Sequence, residues 1–338
     1  MRIKIATSLS IFFGTIASSF LLITTTACSK DKFDKYANIN DVINAKKGWS
    51  QTLNTQFGLS TTIPDEWDNT WHEYELRGDC DHCPFIWRRN EVENSVADKC
   101  LRIKYINEDE NADPNNKKTK NITGCVTTDK KFEQAFGYWE VNAKFLNKHY
   151  GWAAFWLQCE DMAESSPSSW NHGGEDGSEI DIFESFNWND FQNEVRLNTM
   201  ADGYEEHYKE FGTSGYYVDK YGTPINIYGD FHKFGLLWTP NAYYMYVDHN
   251  LVFKTTAPIA NHGLRTPTDN NHMGVCQVPA FALISGHMGC STNDKTYHAP
   301  NGLPFDKYDG PGEFLIKDFV CYQNKNFIPY IKQPSDFH

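Results

Sequence analysis

Short runs in which apolar and polar residues alternate, each closed by turn-forming residues, recur along this 338-residue chain and constrain its fold more than any other feature. CLRIKY (100–105), GYWEVNAKF (137–145) and YYMYVD (243–248), the last followed by His249 and Asn250, read as strands with one face turned to a core. No run sustains the period of an amphipathic helix. Gly, Asn, Asp and Pro fall regularly between the runs, and aromatic residues make up 15% of the chain, a load that suits sheets with exposed rings. The pattern predicts an all-β protein, a β-sandwich or jelly roll.

The first 28 residues read as a targeting segment. Arg2 and Lys4 supply a positive start, an apolar run covers 5–22, and Thr25, Thr26 and Ala27 place small residues before Cys28. This resembles a bacterial lipoprotein signal, although Thr25 stands where such signals usually carry Leu. The resemblance implies lipid attachment at Cys28, a chain held at the bacterial cell envelope, and membrane contact through that anchor only. No other stretch reaches the roughly 18 apolar residues that span a bilayer. Residues 29–48 are polar and unpatterned and read as a flexible spacer, residues 49–325 as one domain, and 326–338 as a C-terminal tail.

The charge balance excludes one class of partner. With 31 Lys and Arg against 44 Asp and Glu, the net charge is −13 and no basic run appears, so the phosphate backbone of a nucleic acid has no surface to bind. The chain is expected to be a monomer. Cys80 and Cys83 bracket Asp81-His82, a spacing that suits a zinc ligand pair, but no second such pair completes a site. In an exported chain a stapled loop or buried thiols account for them as well.

The chemistry concentrates in GSEIDIFES (177–185), where acids interrupt an otherwise apolar strand. Residues two apart share a face, so Glu179 and Asp181 project together and Ile180 and Ile182 project oppositely. Strict alternation would send Glu184 to the wrong face. One extra residue in a β-bulge between Asp181 and Glu184 restores it, and bulges re-aim side chains beside active sites. Three carboxylates on one face raise one another's pKa, which is costly for structure and useful for acid–base work. Retaining glycoside hydrolysis needs such a pair, a nucleophilic carboxylate and a protonated one, with carboxyl groups about 5–5.5 Å apart. A solvated acidic face or a calcium site are the alternatives, and the apolar residues between the acids argue against the first.

This stretch resembles the E-x-D-x-x-E signature of glycoside hydrolase family 16, and further segments agree. FGYWEVNAK (136–144) is similar to the family's strand before the cleft, and GWAAFW (151–156) to its G-x-W-P-A-F-W segment. DFHKFGLLWTP (230–240) with YVD (246–248), and FLIKDFVCY (314–322), resemble its later strands. The resemblance implies a concanavalin A-like jelly roll with a concave substrate cleft. It implies Glu179 as nucleophile, Glu184 as general acid and base, and Asp181 as the helper that holds the nucleophile's protonation. It further implies Trp152 and Trp156 as sugar-stacking cleft residues, Asn90 in WRRN (87–90) as a sugar contact, and His207 beside Asp202-Gly203-Tyr204 on the acceptor side. Trp188 flanks the motif strand. Met200-Ala201 stands where many members have His-Trp, and HGGEDGS (172–178) lacks a common Trp-Pro, which leaves the substrate open.

The function expected is a retaining endo-hydrolase of a β-linked polysaccharide, with β-1,3- or mixed-linkage β-glucan slightly preferred over algal galactans or host O-glycans. A non-catalytic glycan-binding lipoprotein on the same fold is the alternative from another class, and a transglycosylase would use the same covalent intermediate. No cofactor is required and no catalytic metal is expected. A structural calcium away from the cleft is common in the family's fold, though no loop here identifies its ligands.

Overall fold

A computed structural model of the chain describes residues 36–45, 48–59, 70–74, 76–80, 83–108, 120–145, 151–159, 178–186, 195–201, 209–210, 212–215, 225–257, 275–288 and 312–327. All belong to the unit Lys35–His338. The strands, in chain order, are β1 (Trp49–Gln56), β2 (His72–Glu73), β3 (Leu76–Cys80), β4 (Cys83–Trp87), β5 (Val92–Ser95), β6 (Cys100–Glu108), β7 (Lys120–Thr123), β8 (Cys125–Thr127), β9 (Gly137–Phe145) and β10 (Gly151–Gln158). They continue with β11 (Ser178–Phe186), β12 (Val195–Ala201), β13 (Lys209–Glu210), β14 (Thr213–Gly215), β15 (His232–Thr239), β16 (Ala242–Val247), β17 (Asn250–Thr255), β18 (Phe281–Met288) and β19 (Gly312–Asn324). The expected strands at 100–105, 137–145 and 243–248 are present as β6, β9 and β16.

Two sheets form. The larger runs β17-β16-β15-β9-β19-β6-β7-β4-β3, with β1 also on β19 and β5 on β6. The smaller runs β13-β12-β11-β10-β18-β8-β2, with β14 also on β12. Every pairing is antiparallel except β4 with β7. The sheets bury their facing sides in one core. Trp139, Val141, Ala143 and Phe145 of β9 and Phe234, Leu236 and Trp238 of β15 meet Phe155 and Leu157 of β10 and Ile180, Ile182 and Phe183 of β11. On β19 the period-2 pattern is carried by Phe314 and Ile316, then by Phe319 and Cys321. A register shift between Ile316 and Asp318 reconciles the two halves, so all four residues reach the core.

The larger sheet is also covered on its outer side. Residues 36–45, inside the stretch expected to be a flexible spacer, carry the helix α1 (Ile39–Asn44), whose N-cap Asn38 accepts from the Asn40 amide. Ile39 is fully buried against Tyr138, Leu237, Ala242, Tyr244 and Tyr246, with Val42 and Ile43 packed at the margin. The Ile39 amide donates to the His249 carbonyl, and the Leu251 amide to the Ala37 carbonyl. The physical reason for this order is the aromatic outer face of β16, which an unpatterned spacer would leave in water. At the other terminus Phe327 stacks edge-on against Trp49 with ring centroids 5.5 Å apart, so packing continues two residues past the expected domain end.

Under this cover lies a buried carboxylate, Glu140, 2% exposed. It accepts from the Tyr138 hydroxyl at 2.5 Å and the Lys233 ammonium at 2.9 Å, and His249 Nε2 stands 3.0 Å away. These hydrogen bonds, with the Lys233 charge, hold its carboxyl below the usual range against the opposing effect of burial, the largest single influence. Gly235 makes the arrangement possible, because a Cβ there would collide with the Tyr138 ring.

Candidate active site

The outer face of the smaller sheet is shaped by one bulge. β11 pairs with β10 as Ala154↔Glu184, Phe155↔Phe183 and then Trp156↔Asp181, which leaves Ile182 as the extra residue. On the other side β12 shows the same shift, with Asp181↔Asn198 followed by Glu184↔Arg196. Both Ile182 and Phe183 are therefore buried in the core, at 1% and 0% exposure. Phe183 is locked between the sheets, its ring centroid 4.8 Å from Phe145, 4.7 Å from Phe234 and 6.2 Å from Phe155. Past the bulge Ser185 returns to the inside and meets the Tyr228 hydroxyl at 2.9 Å. Alternation on either side then turns Glu179, Asp181 and Glu184 to the outer face, as the count of residues between them requires.

Neighbours across the sheet complete the setting. On β10, which pairs with β18 without interruption, Ala154, Trp156 and Gln158 lie opposite Glu184, Asp181 and Glu179. On β12 Arg196, Asn198 and Met200 lie opposite the same three acids. Ala154, small and 7% exposed, leaves space beside Glu184. The Ser178 hydroxyl donates to the Met200 carbonyl and ties the entry of β11 to β12.

Asp181 is 2% exposed and Glu184 8% exposed, while Glu179 is half-buried. Burial pushes the Asp181 carboxyl well above the ordinary carboxylate range. The charges of Glu184 and then Glu179 add to that rise, Arg196 opposes it, and a hydrogen bond to Glu179 favours the protonated form. The Asp181 carboxyl therefore holds its proton to higher pH than an ordinary carboxylate does, and it shares a hydrogen bond with Glu179.

Both expected tryptophans stand on this face. Trp152 and Trp156 are half-buried on β10. Trp156 donates from Nε1 to the Ser285 hydroxyl at 3.0 Å and packs against a second apolar cluster of Trp87, Cys125, Phe281 and Leu283, with Tyr74 alongside. Asn90 falls in a single turn of 3-10 helix, Arg89–Glu91, directly after β4, and its side chain lies outside the described residues. His207, Trp188 and Cys28 lie outside them altogether.

The sequence reading passed over Asn198, Gln158 and the apolar floor of Tyr74, Phe281 and Leu283. For Asn198 the signal was present, since the polar Arg196 and Asn198 alternate with the apolar Val195 and Leu197. Asn198 is fully buried, and neither of its side-chain polar atoms has a hydrogen-bond partner among the described residues. For Phe281 and Leu283 there was none, because residues 281–284 are apolar on both faces of β18. Among the described residues no group of three or more His, Cys, Asp or Glu is placed to hold a metal ion, and no helix is long and apolar enough to cross a membrane.

Comparison with known proteins agrees with this architecture. The model of the glycosyl hydrolases family 16 matches residues 81–281. No curated protein matches the chain. Among solved structures, the catalytic domain of an endo-1,3-β-glucanase (laminarinase) from Thermotoga petrophila RKU-1 superposes with a TM-score of 0.59 at 21% identity, over 83% of this chain and 100% of that one. The endo-β-1,3-glucanase of Pyrococcus furiosus gives 0.58 at 17% identity, over 82% and 95%. A structure from an account of endo-acting O-glycanases, expressed by prominent members of the human gut microbiota to initiate mucin breakdown, gives 0.58 at 20% identity, over 83% and 92%. At these identities the likeness is one of fold, the jelly roll described above.

Proposed function

The chain belongs to the glycosyl hydrolases family 16, and on that premise we propose that it is a retaining, endo-acting hydrolase of β-linked polysaccharide. The observation that carries the reading is the extra residue Ile182, which turns Glu184 onto the face of Glu179 and Asp181 while both intervening side chains stay in the core. A binding module gains nothing from crowding three acids in this way.

In the first step the Glu179 carboxylate attacks the anomeric carbon. The bond to the leaving oxygen breaks as Glu184 delivers its proton to that oxygen. The product is an ester between the sugar and Glu179. In the second step Glu184, now a carboxylate, takes a proton from water, and the hydroxyl attacks the anomeric carbon and displaces Glu179. Two inversions leave the configuration retained. Asp181 supports both steps through its shared proton, which stabilises Glu179 as an anion before attack and as a leaving group afterwards. Neither step needs a cofactor, since every proton moves between named side chains, substrate and water.

Trp152 and Trp156 supply aromatic faces along β10 for sugar rings, with Asn90, His207 and Trp188 as further contacts. We propose β-1,3- or mixed-linkage β-glucan as substrate, supported by the laminarinase structures that share the fold. A second reading, host O-glycan, is favoured by the equally similar structure associated with mucin breakdown. The protein acts as a monomer at the cell envelope, anchored through lipidated Cys28.

The test is release of reducing ends by the chain lacking residues 1–28 from laminarin, mixed-linkage glucan, agarose, porphyran, carrageenan and mucin O-glycans. Glu179→Gln serves as control. Oligosaccharides from one polymer, absent in the control, establish the activity and its substrate. Binding to a polymer without release from any of them would overturn the hydrolase in favour of a lectin.

A further inference from the structure

Cys159 follows β10 directly, and Cys276 lies in the segment that leads into β18. Both are buried in the main core, at 1% and 0% exposure. Their sulfurs stand 3.1 Å apart although the residues are separated by 117 positions. Two bonded sulfurs rest at about 2.05 Å, so roughly 1 Å of approach separates this pair from a covalent bond. The thiols share one acceptor, the Val278 carbonyl, at 3.4 Å from Cys276 and 4.0 Å from Cys159.

Other roles fit less well. A metal would need further ligands, and none is grouped here among the described residues. Nucleophilic chemistry would need access, whereas both side chains point into the core rather than to the outer face that carries the acids. Cys100, Cys125 and Cys321 are also buried. Cys125 lies beside Trp87, and Cys321 accepts from Gln134 Nε2 at 3.2 Å.

We propose that Cys159 and Cys276 form a disulfide when the chain folds in an oxidising compartment, and that it staples the end of the acid-bearing face. The biological relevance of the bond rests on the exported reading, because cytosolic disulfides are rare. Its chemistry does not. One thiolate attacks a small-molecule or protein disulfide and forms a mixed disulfide, releasing one thiol. The second sulfur then displaces the other half as a thiol. Two electrons and two protons pass to the oxidant, which leaves as two thiols, and one sulfur–sulfur bond forms.

The location gives the bond a purpose. It lies just beyond the rung Gln158↔Phe281 that ends the pairing of β10 with β18. Gln158 is also opposite Glu179. The Cys276 amide donates to the Tyr243 hydroxyl at 2.7 Å, and that hydroxyl also meets the side chain of Ser178, the residue before Glu179. The cross-link therefore braces the point at which the nucleophile's strand enters the sheet.

The experiment uses the chain lacking residues 1–28, folded in a buffer of oxidised and reduced glutathione, then unfolded in iodoacetamide without reductant and mapped by mass spectrometry. The proposal expects a peptide containing Cys159 joined to one containing Cys276, and a Tm about 10 °C above that of the fully reduced chain, given the long loop closed. Alkylation of both thiols, a bond from either to another cysteine such as Cys290, or an unchanged Tm would overturn it. Export is read separately by lipid labelling of the full chain, so failure of that reading leaves this result distinguishable.

Discussion

Replacing Asp181 by asparagine should stabilise the protein and disable it together. The unfolded carboxyl releases its proton near pH 4. In the folded chain burial, then the charges of Glu184 and Glu179, hold that proton to well above the ordinary range. Between the two values the unfolded state binds fewer protons than the folded one, so stability falls as pH rises through this window and the loss persists above it. Below about pH 4 both states are protonated and the loss disappears. Asp181→Asn removes the titrating group while keeping its shape, and relief of one strained functional position typically returns about 0.5–2 kcal/mol. For a domain of this size that corresponds to roughly 1–8 °C in Tm. Thermal unfolding followed by circular dichroism at pH 7 and pH 4 reads it, with kcat measured on the same preparation and expected to fall by on the order of 10²-fold or more. An unchanged or lower Tm at pH 7, or a gain of equal size at pH 4, would refute the reasoning.

Other changes separate chemistry from packing. Glu184→Gln should lower kcat by about 10²–10⁴-fold on a natural polymer while the melting curve stays within a few degrees of wild type. Phe183→Ala empties the space between Phe145, Phe155 and Phe234 and should cost about 3–5 kcal/mol in a urea titration. Glu140→Gln disturbs a network buried on the far sheet and should cost roughly 1–3 kcal/mol with kcat unchanged on the surviving folded fraction. Cys28→Ala in the full chain should move the protein from the membrane fraction to the soluble fraction of an expressing bacterium, and retention in the membrane would contradict lipid attachment there.

Much of the site could be read before the fold, because the two depend on different signals. The bulge follows from counting: two residues rather than one or three separate Asp181 from Glu184, and only an extra residue reconciles their common face with apolar neighbours. The strands at 137–145 and 243–248 were legible from alternation alone. What alternation cannot encode is which strands pair. β9 binds β19 across about half of the chain length, and nothing local to either marks the other. The helix at Ile39–Asn44 was hidden by its polar surroundings, although Ile39, Val42 and Ile43 have helical spacing and Asn38 is a good cap. It forms because the aromatic outer face of β16 offers a surface to cover, which is a tertiary cause. The same limit explains the floor beside Trp156: Phe281 and Leu283 alternate with the equally apolar Ala282 and Ile284, so sequence assigned them no face.

The central claim, a covalent intermediate on Glu179, is tested most directly by incubating the chain with an activated 2-deoxy-2-fluoro glycoside of the polymer that it cleaves. The fluorine slows both steps, and the good leaving group lets the first outrun the second. Intact mass should rise by one glycosyl unit of the probe, and peptide mapping should place the addition on Glu179. Hydrolysis without any accumulated adduct, or an adduct on Glu184 or Asp181, would contradict the mechanism.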